Sequence, residues 1–113
     1  MAKNRVVPLL LTSIASSTMS SSYQAINPNG AEGAAFFFRI NNDTNETITI
    51  SYDGVNDHEI MLTDTIYETP TTQNNALPAG KVALFPIGQK IYVKGTSGTG
   101  SVYLSGFYQL VGE

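Results

Sequence analysis

Asp53, Asp57 and Glu59, with His58 between the last two, come nearest to chemistry in this chain, in the stretch I-S-Y-D-G-V-N-D-H-E. Two carboxylates can serve as general acid and base, and several oxygen ligands can hold a cation. The spacing of an EF-hand loop is absent. A zinc site of the histidine–carboxylate kind wants a second His or a Cys, and the chain has one His and no Cys. Asp-Gly, by contrast, is a leading β-turn pair, because Asp tolerates unusual backbone angles and Gly takes positive φ. The stretch therefore reads as the end of a strand and its turn. Asp53, Asp57 and Glu59 are kept as a candidate weak cation or partner-contact loop.

Other chemistry fares no better. A serine triad needs His58 beside a serine and a carboxylate, and no Ser stands in a Gly-x-Ser-x-Gly frame. Gly95 to Gly100 (GTSGTG) lacks the Gly-Lys-Ser/Thr ending of a phosphate loop and reads as a hairpin turn. Asn42-Asp43-Thr44 and Asn45-Glu46-Thr47 match the glycosylation sequon, which matters only in a secretory pathway. The expectation is no catalytic residue, no metal and no cofactor.

The elements that would hold such residues are β-strands. The chain has 113 residues, enough for one domain, with 42% hydrophobic residues to build its core. Charged residues are 13%, against about 25% in typical domains. Low charge with many polar turn residues suits a β protein, and also a protein whose surface neighbours cover. Net charge is −3, with six Lys and Arg spread thinly, so no basic face is expected and nucleic acid is an unsuited partner. No segment approaches the ~20 apolar residues of a membrane-spanning helix, so no membrane partner is expected.

MAKNRVVPLLLTSIASS has the residue order of a secretory leader, but Pro8 and Thr12 interrupt its apolar run. Val6 to Ile14 reads instead as an N-terminal strand or arm, with Pro8 marking an edge. Residues 1–20 are taken as an N-terminal arm or edge strand and 21–113 as the domain. Ser21 to Ile26 is a second strand, ended by Asn-Pro-Asn-Gly. Ala34 to Ile40 (AAFFFRI) is the most apolar strand. Its alternation places Phe36, Phe38 and Ile40 in the core and Ala35, Phe37 and Arg39 outside. Asn41 to Asn45 reads as a tight turn joining this strand to Thr47–Tyr52 in a hairpin, with Ile48, Ile50 and Tyr52 inward and Ser51 outward. Glu59 to Tyr67 alternates with Ile60, Leu62 and Ile66 inward. Pro70 to Gly80 is a polar loop. Lys81 to Pro86, Lys90 to Lys94 and Ser101 to Leu110 complete the strands. In the last, Val102, Leu104, Tyr108 and Leu110 share one face, and Tyr103 and Phe107 the other. Seven or eight short strands at regular spacing predict an all-β antiparallel sandwich, immunoglobulin-like or jelly-roll.

Phe37, Arg39, Tyr92, Tyr103 and Phe107 are candidate interface residues, since outward aromatics serve either as scattered surface residues or as interface anchors. Exposed tyrosines beside a groove would instead suit a carbohydrate- or surface-binding module.

SSSYQAINPNG, FFFRINN, ITISYDGVND and LFPIGQKIYVKGTSGTGSVYLSGFYQ, spread from about Thr12 to Gln109, resemble small structural proteins of tailed bacteriophages. The resemblance implies a non-enzymatic virion component in many symmetric copies, made in the host cytoplasm. It would decorate the capsid or sit at the head–tail neck or in a tail ring. Its partners would be copies of itself and capsid, portal or tail proteins.

Overall fold

A computed structural model describes residues 5–69 and 85–110. Among them are nine strands: β1 (Arg5–Pro8), β2 (Thr12–Ala15), β3 (Gln24–Ala25), β4 (Ala35–Thr44), β5 (Ile48–Ser51), β6 (Glu59–Met61), β7 (Thr65–Glu68), β8 (Tyr92–Gly95) and β9 (Gly100–Leu110). All pairings are antiparallel. A five-stranded sheet runs β1 and β2, then β9, β4 and β7, and a four-stranded sheet runs β3-β8-β5-β6.

β1 and β2 lie end to end on one edge of β9, from Arg5 opposite Leu110 to Ala15 opposite Ser101. Across the gap between them the Leu9 N–H donates to the Gly106 carbonyl at 2.9 Å. They are one strand, interrupted just past Pro8, and the first twenty residues thus supply an edge strand. Counted so, the first strand pairs with the last, β3 with β8, β4 with β7 and β5 with β6. This nested ribbon is rolled so that β9 also meets β4 and β8 meets β5. Such a roll of two four-strand layers is a jelly roll. The expected antiparallel sandwich is therefore present in its jelly-roll form, and the immunoglobulin-like alternative falls.

The core between the sheets is built from Phe38, Ile40, Ile48, Ile50, Val93, Val102 and Leu104, all buried. Phe36 was expected beside Phe38 but is only half-buried. The register steps from Ala35 opposite Tyr108 to Phe37 opposite Phe107, two residues against one. This β-bulge shifts the parity of the strand, so that Ala35 faces inward and Phe36 does not. The last strand alternates as expected, with Val102 and Leu104 buried and Tyr103 and Phe107 exposed.

Two connections depart from the sequence reading. β4 and β5 do not form a hairpin: they belong to different sheets. Asn42 and Thr44, expected in a turn, are buried strand residues. The Asn42 amide donates to the carbonyls of Leu62 at 2.9 Å and Glu46 at 3.1 Å, and the Thr44 hydroxyl donates to Asn42 Oδ1 at 2.6 Å. Their polar groups face inward and tie together the two places where the chain crosses between sheets. The second crossing is Leu62–Asp64, where Asp64 takes a left-handed φ of 56°. Here Ile60, Leu62 and Ile66, expected inward, are all more than half exposed. The registers give the reason. Ile48 points into the core opposite Met61, which places the next pair, Thr49 and Ile60, outward. Ile40 likewise points in opposite Tyr67, which places Ile66 outward beside Asn41.

The expected strand at Ser21–Ile26 shortens to Gln24–Ala25, and Lys90–Lys94 becomes Tyr92–Gly95. The Pro70–Gly80 loop and all of the Lys81–Pro86 strand but its last two residues lie outside the described residues.

Candidate functional site

The two outer faces of the sandwich are finished differently. On the four-stranded sheet, the turn after β5 folds back over the strands. Asp53 Oδ1 accepts the N–H groups of Val55 and Asn56, each at 2.8 Å, and the Ser51 hydroxyl at 2.9 Å. The Asn56 amide donates to Oδ2 at 2.8 Å. These donors, the Asn56 backbone N–H foremost, hold the Asp53 carboxyl well below the usual carboxylate range. Ser51, expected outward, is buried under this turn, where its hydroxyl also accepts the Gly54 N–H at 2.9 Å. Gly54 has φ +78°, and a Cβ there would lie 3.2 Å from the Tyr92 ring. Position 54 thus needs glycine for its backbone angle and for its close approach to Tyr92.

Asp57 goes elsewhere. Its Oδ1 accepts the Tyr23 hydroxyl and the Lys94 ammonium, the latter at 3.0 Å. Both donors, Tyr23 first, lower the Asp57 carboxyl. The Lys94 ammonium sits 4.7 Å from the centroid of the Tyr23 ring. Desolvation, then the bond to Asp57, pushes the Tyr23 hydroxyl up to about 12. Glu59 faces a third group: Tyr67 donates to its Oε2 at 3.4 Å, and Tyr52 donates to the Tyr67 hydroxyl at 3.3 Å. Burial, first of all, pushes the Tyr52 hydroxyl well above the ordinary phenol range. The exposed His58 accepts the Tyr52 N–H at Nδ1, 3.0 Å away.

The three acids and the histidine therefore serve separate local contacts. No three His, Cys, Asp or Glu side chains converge among the described residues. The turn acts as a clasp: Asp53 shapes it and Asp57 ties it to β8 and to Tyr23 ahead of β3. Tyr92, a candidate interface residue, is half-buried under this clasp. It borders an open groove of about 340 Å³ shared with Asp53, Ile87, Gln89 and Lys90. The glycosylation sequons also find structural roles, with Asn42 fully buried and Asn45 Oδ1 accepting the Thr99 N–H at 2.9 Å.

The outer face of the five-stranded sheet has no such cover among the described residues. Phe107 lies between Pro8 and Phe37 in register, and the Phe37 and Phe107 rings are 6.1 Å apart. Two rows along, Arg39 is opposite Glu68, with Nη2 at 2.8 Å and Nε at 3.0 Å from the same carboxylate oxygen. In the next row Asn41 stands between Tyr103 and Ile66. Val6 is 63% exposed, Ile66 61%, Phe107 40% and Tyr103 36%, so this is an open apolar surface around one neutral ion pair. Four of the five expected interface residues, Phe37, Arg39, Tyr103 and Phe107, share it, while Tyr92 is on the other sheet. Val6, Pro8 and Ile66 join the face unannounced. The signal for Ile66 was the inward position of Tyr67, one residue on.

No protein-family model and no curated relative matches the sequence. Among solved structures the chain is similar to one of Bacillus endospore appendages, which form disulfide-linked pili. The identity is 11%, covering 96% of this chain and 91% of that one, with a TM-score of 0.45. The present chain has no cysteine, so a disulfide linkage has no counterpart in it.

Proposed function

We propose that the chain is a non-enzymatic structural subunit of a bacteriophage virion, present in many copies on the capsid or at the head–tail neck or tail. The observation that carries this reading is the open apolar face of the five-stranded sheet, in a chain with 13% charged residues. Solvent-exposed apolar patches of this kind mark association surfaces. The sequence segments that resemble phage structural proteins supply the virion setting. A rigid jelly roll whose candidate acids are spent on turn and clasp contacts is suited to building rather than to turnover.

The test is location and mass together. Antibody against the chain should label purified phage particles, and light scattering behind size exclusion should give a discrete multimer or a mass that climbs with concentration. A chain absent from particles and monomeric throughout would end the proposal.

A carbohydrate-binding reading draws on Tyr92 beside its open groove. The groove's polar groups are largely committed. Asp53 accepts four hydrogen bonds from its own turn, and the Gln89 amide donates to the Tyr52 and Lys90 carbonyls at 2.8 and 2.7 Å. A ligand there would find few free partners. Glycan-array binding lost on Tyr92→Ala would restore this alternative.

A further inference from the structure

We infer that the outer face of the five-stranded sheet docks against the same face of a second copy of this chain. This rests on the multi-copy reading above and names its contact. The argument is one of charge. Each copy carries net charge −3, so two copies repel wherever their surfaces are acidic. The described part of this face offers a different approach. Its central charges, Arg39 and Glu68, already neutralise each other at 2.8 Å, and both remain about half exposed. A neutral pair has no net charge to reject an identical face. Its two ends also match the opposite ends of a copy rotated about an axis in the interface. Around it stand Val6, Phe107, Tyr103 and Ile66, whose exposed carbon a second copy would take out of water. The other outer face has no equivalent opening, because the clasp at Asp53–Asp57 covers it.

The size of the face sets the strength. Four strands at ~4.8 Å spacing, over about eight residues of strand, present roughly 500 Å² per copy. A stable pair buries ~800 Å² per partner. The contact is therefore a weak one, made persistent where many copies are held side by side. The two faces would lie ~10 Å apart, as packed sheets do.

The absence of cysteine makes the test clean. Phe107→Glu places a like charge opposite itself in the docked pair. Since Phe107 lies outside the core, circular dichroism should show an unchanged fold. Self-association measured by sedimentation should weaken roughly ten-fold or more, the equivalent of about 1.4 kcal/mol. Ser105→Cys, at the centre of the face, should give cross-linked dimers with a short bismaleimide. Thr49→Cys, on the opposite sheet, should not. If the wild type assembles but Phe107→Glu assembles equally well, or Thr49→Cys cross-links as readily as Ser105→Cys, the docking face is wrong and the multi-copy reading stands. If the wild type stays monomeric at millimolar concentration yet labels particles, the self-contact is overturned and the virion reading stands. If it is monomeric and absent from particles, both fall.

Discussion

Phe38 and Phe36 are two residues apart in an unbroken aromatic run, yet one is fully buried and the other is the extra residue of a bulge. Phe38→Ala should cost about 3–5 kcal/mol of unfolding free energy, while Phe36→Ala should cost clearly less. Paired urea titrations would read the difference, and equal costs would place both rings in the core. Asp53 gives a pH dependence. Its carboxyl is held below the usual range in the folded chain and returns to about 3.9 on unfolding. Its contribution to stability is therefore present above about pH 4 and is lost as pH falls through the lower folded value. In Asp53→Asn the decline in urea midpoint below pH 4 should be shallower than in wild type. Identical slopes would mean that Asp53 does not report on folding.

At the scale of elements, the fold hangs on how strands cross between sheets. Asn42→Ala leaves the carbonyls of Leu62 and Glu46 without their donor, a loss of about 1–3 kcal/mol for a buried polar group left unpaired. Hydrogen exchange should then quicken first around Leu62–Thr65. Gly100 opens β9 with φ +90°, and a Cβ there would lie 2.0 Å from the Asp43 carbonyl oxygen. Gly100→Ala should destabilise by at least about 1–3 kcal/mol, as strained left-handed positions do, and calorimetry would measure it. The same crossings decide what was legible in the sequence. Ile48 and Ile50 alternate with polar neighbours, and their inward placement followed directly. In Glu59–Tyr67 both faces carry apolar residues, Ile60 and Leu62 on one and Met61 on the other, so periodicity alone cannot choose. The choice is made by the partner strand, through Ile48 opposite Met61, and no local pattern carries that information. The polar run Asn41–Asn45 hid its role for the opposite reason: Asn42 and Thr44 look like turn residues because their hydrogen-bonding groups suit turns, but here they satisfy buried carbonyls. The candidate site divided likewise. Outward aromatics on β4 and β9 could be read from alternation, whereas the gathering of Val6, Pro8 and Ile66 beside them needed the sheet order.

For the whole molecule, the long β9 is the organising strand, flanked by β4 on one side and by the interrupted first strand on the other. The pairing of Arg5 with Leu110 joins residues from opposite ends of the described chain, a contact that closes late and favours folding in milliseconds to seconds. A chain shortened to begin at Ser16 would leave one edge of β9 unpaired along much of its length. Such an edge invites pairing with other chains. We expect that variant to aggregate on refolding, seen as rising turbidity, rather than to give a stable monomer with a frayed end.

Arg5 opposite Leu110 has one more consequence. The described fold is entered and left at the same end of a body 49 Å long. Held by those neighbouring ends, the roll would stand away from its attachment like a peg, and tension on them would unzip β1 from β9 one pair at a time instead of shearing the whole strand at once. The same proximity suits the fold to grafting into a surface loop of an unrelated protein, or to rejoining its ends and opening it elsewhere, with the sandwich kept whole.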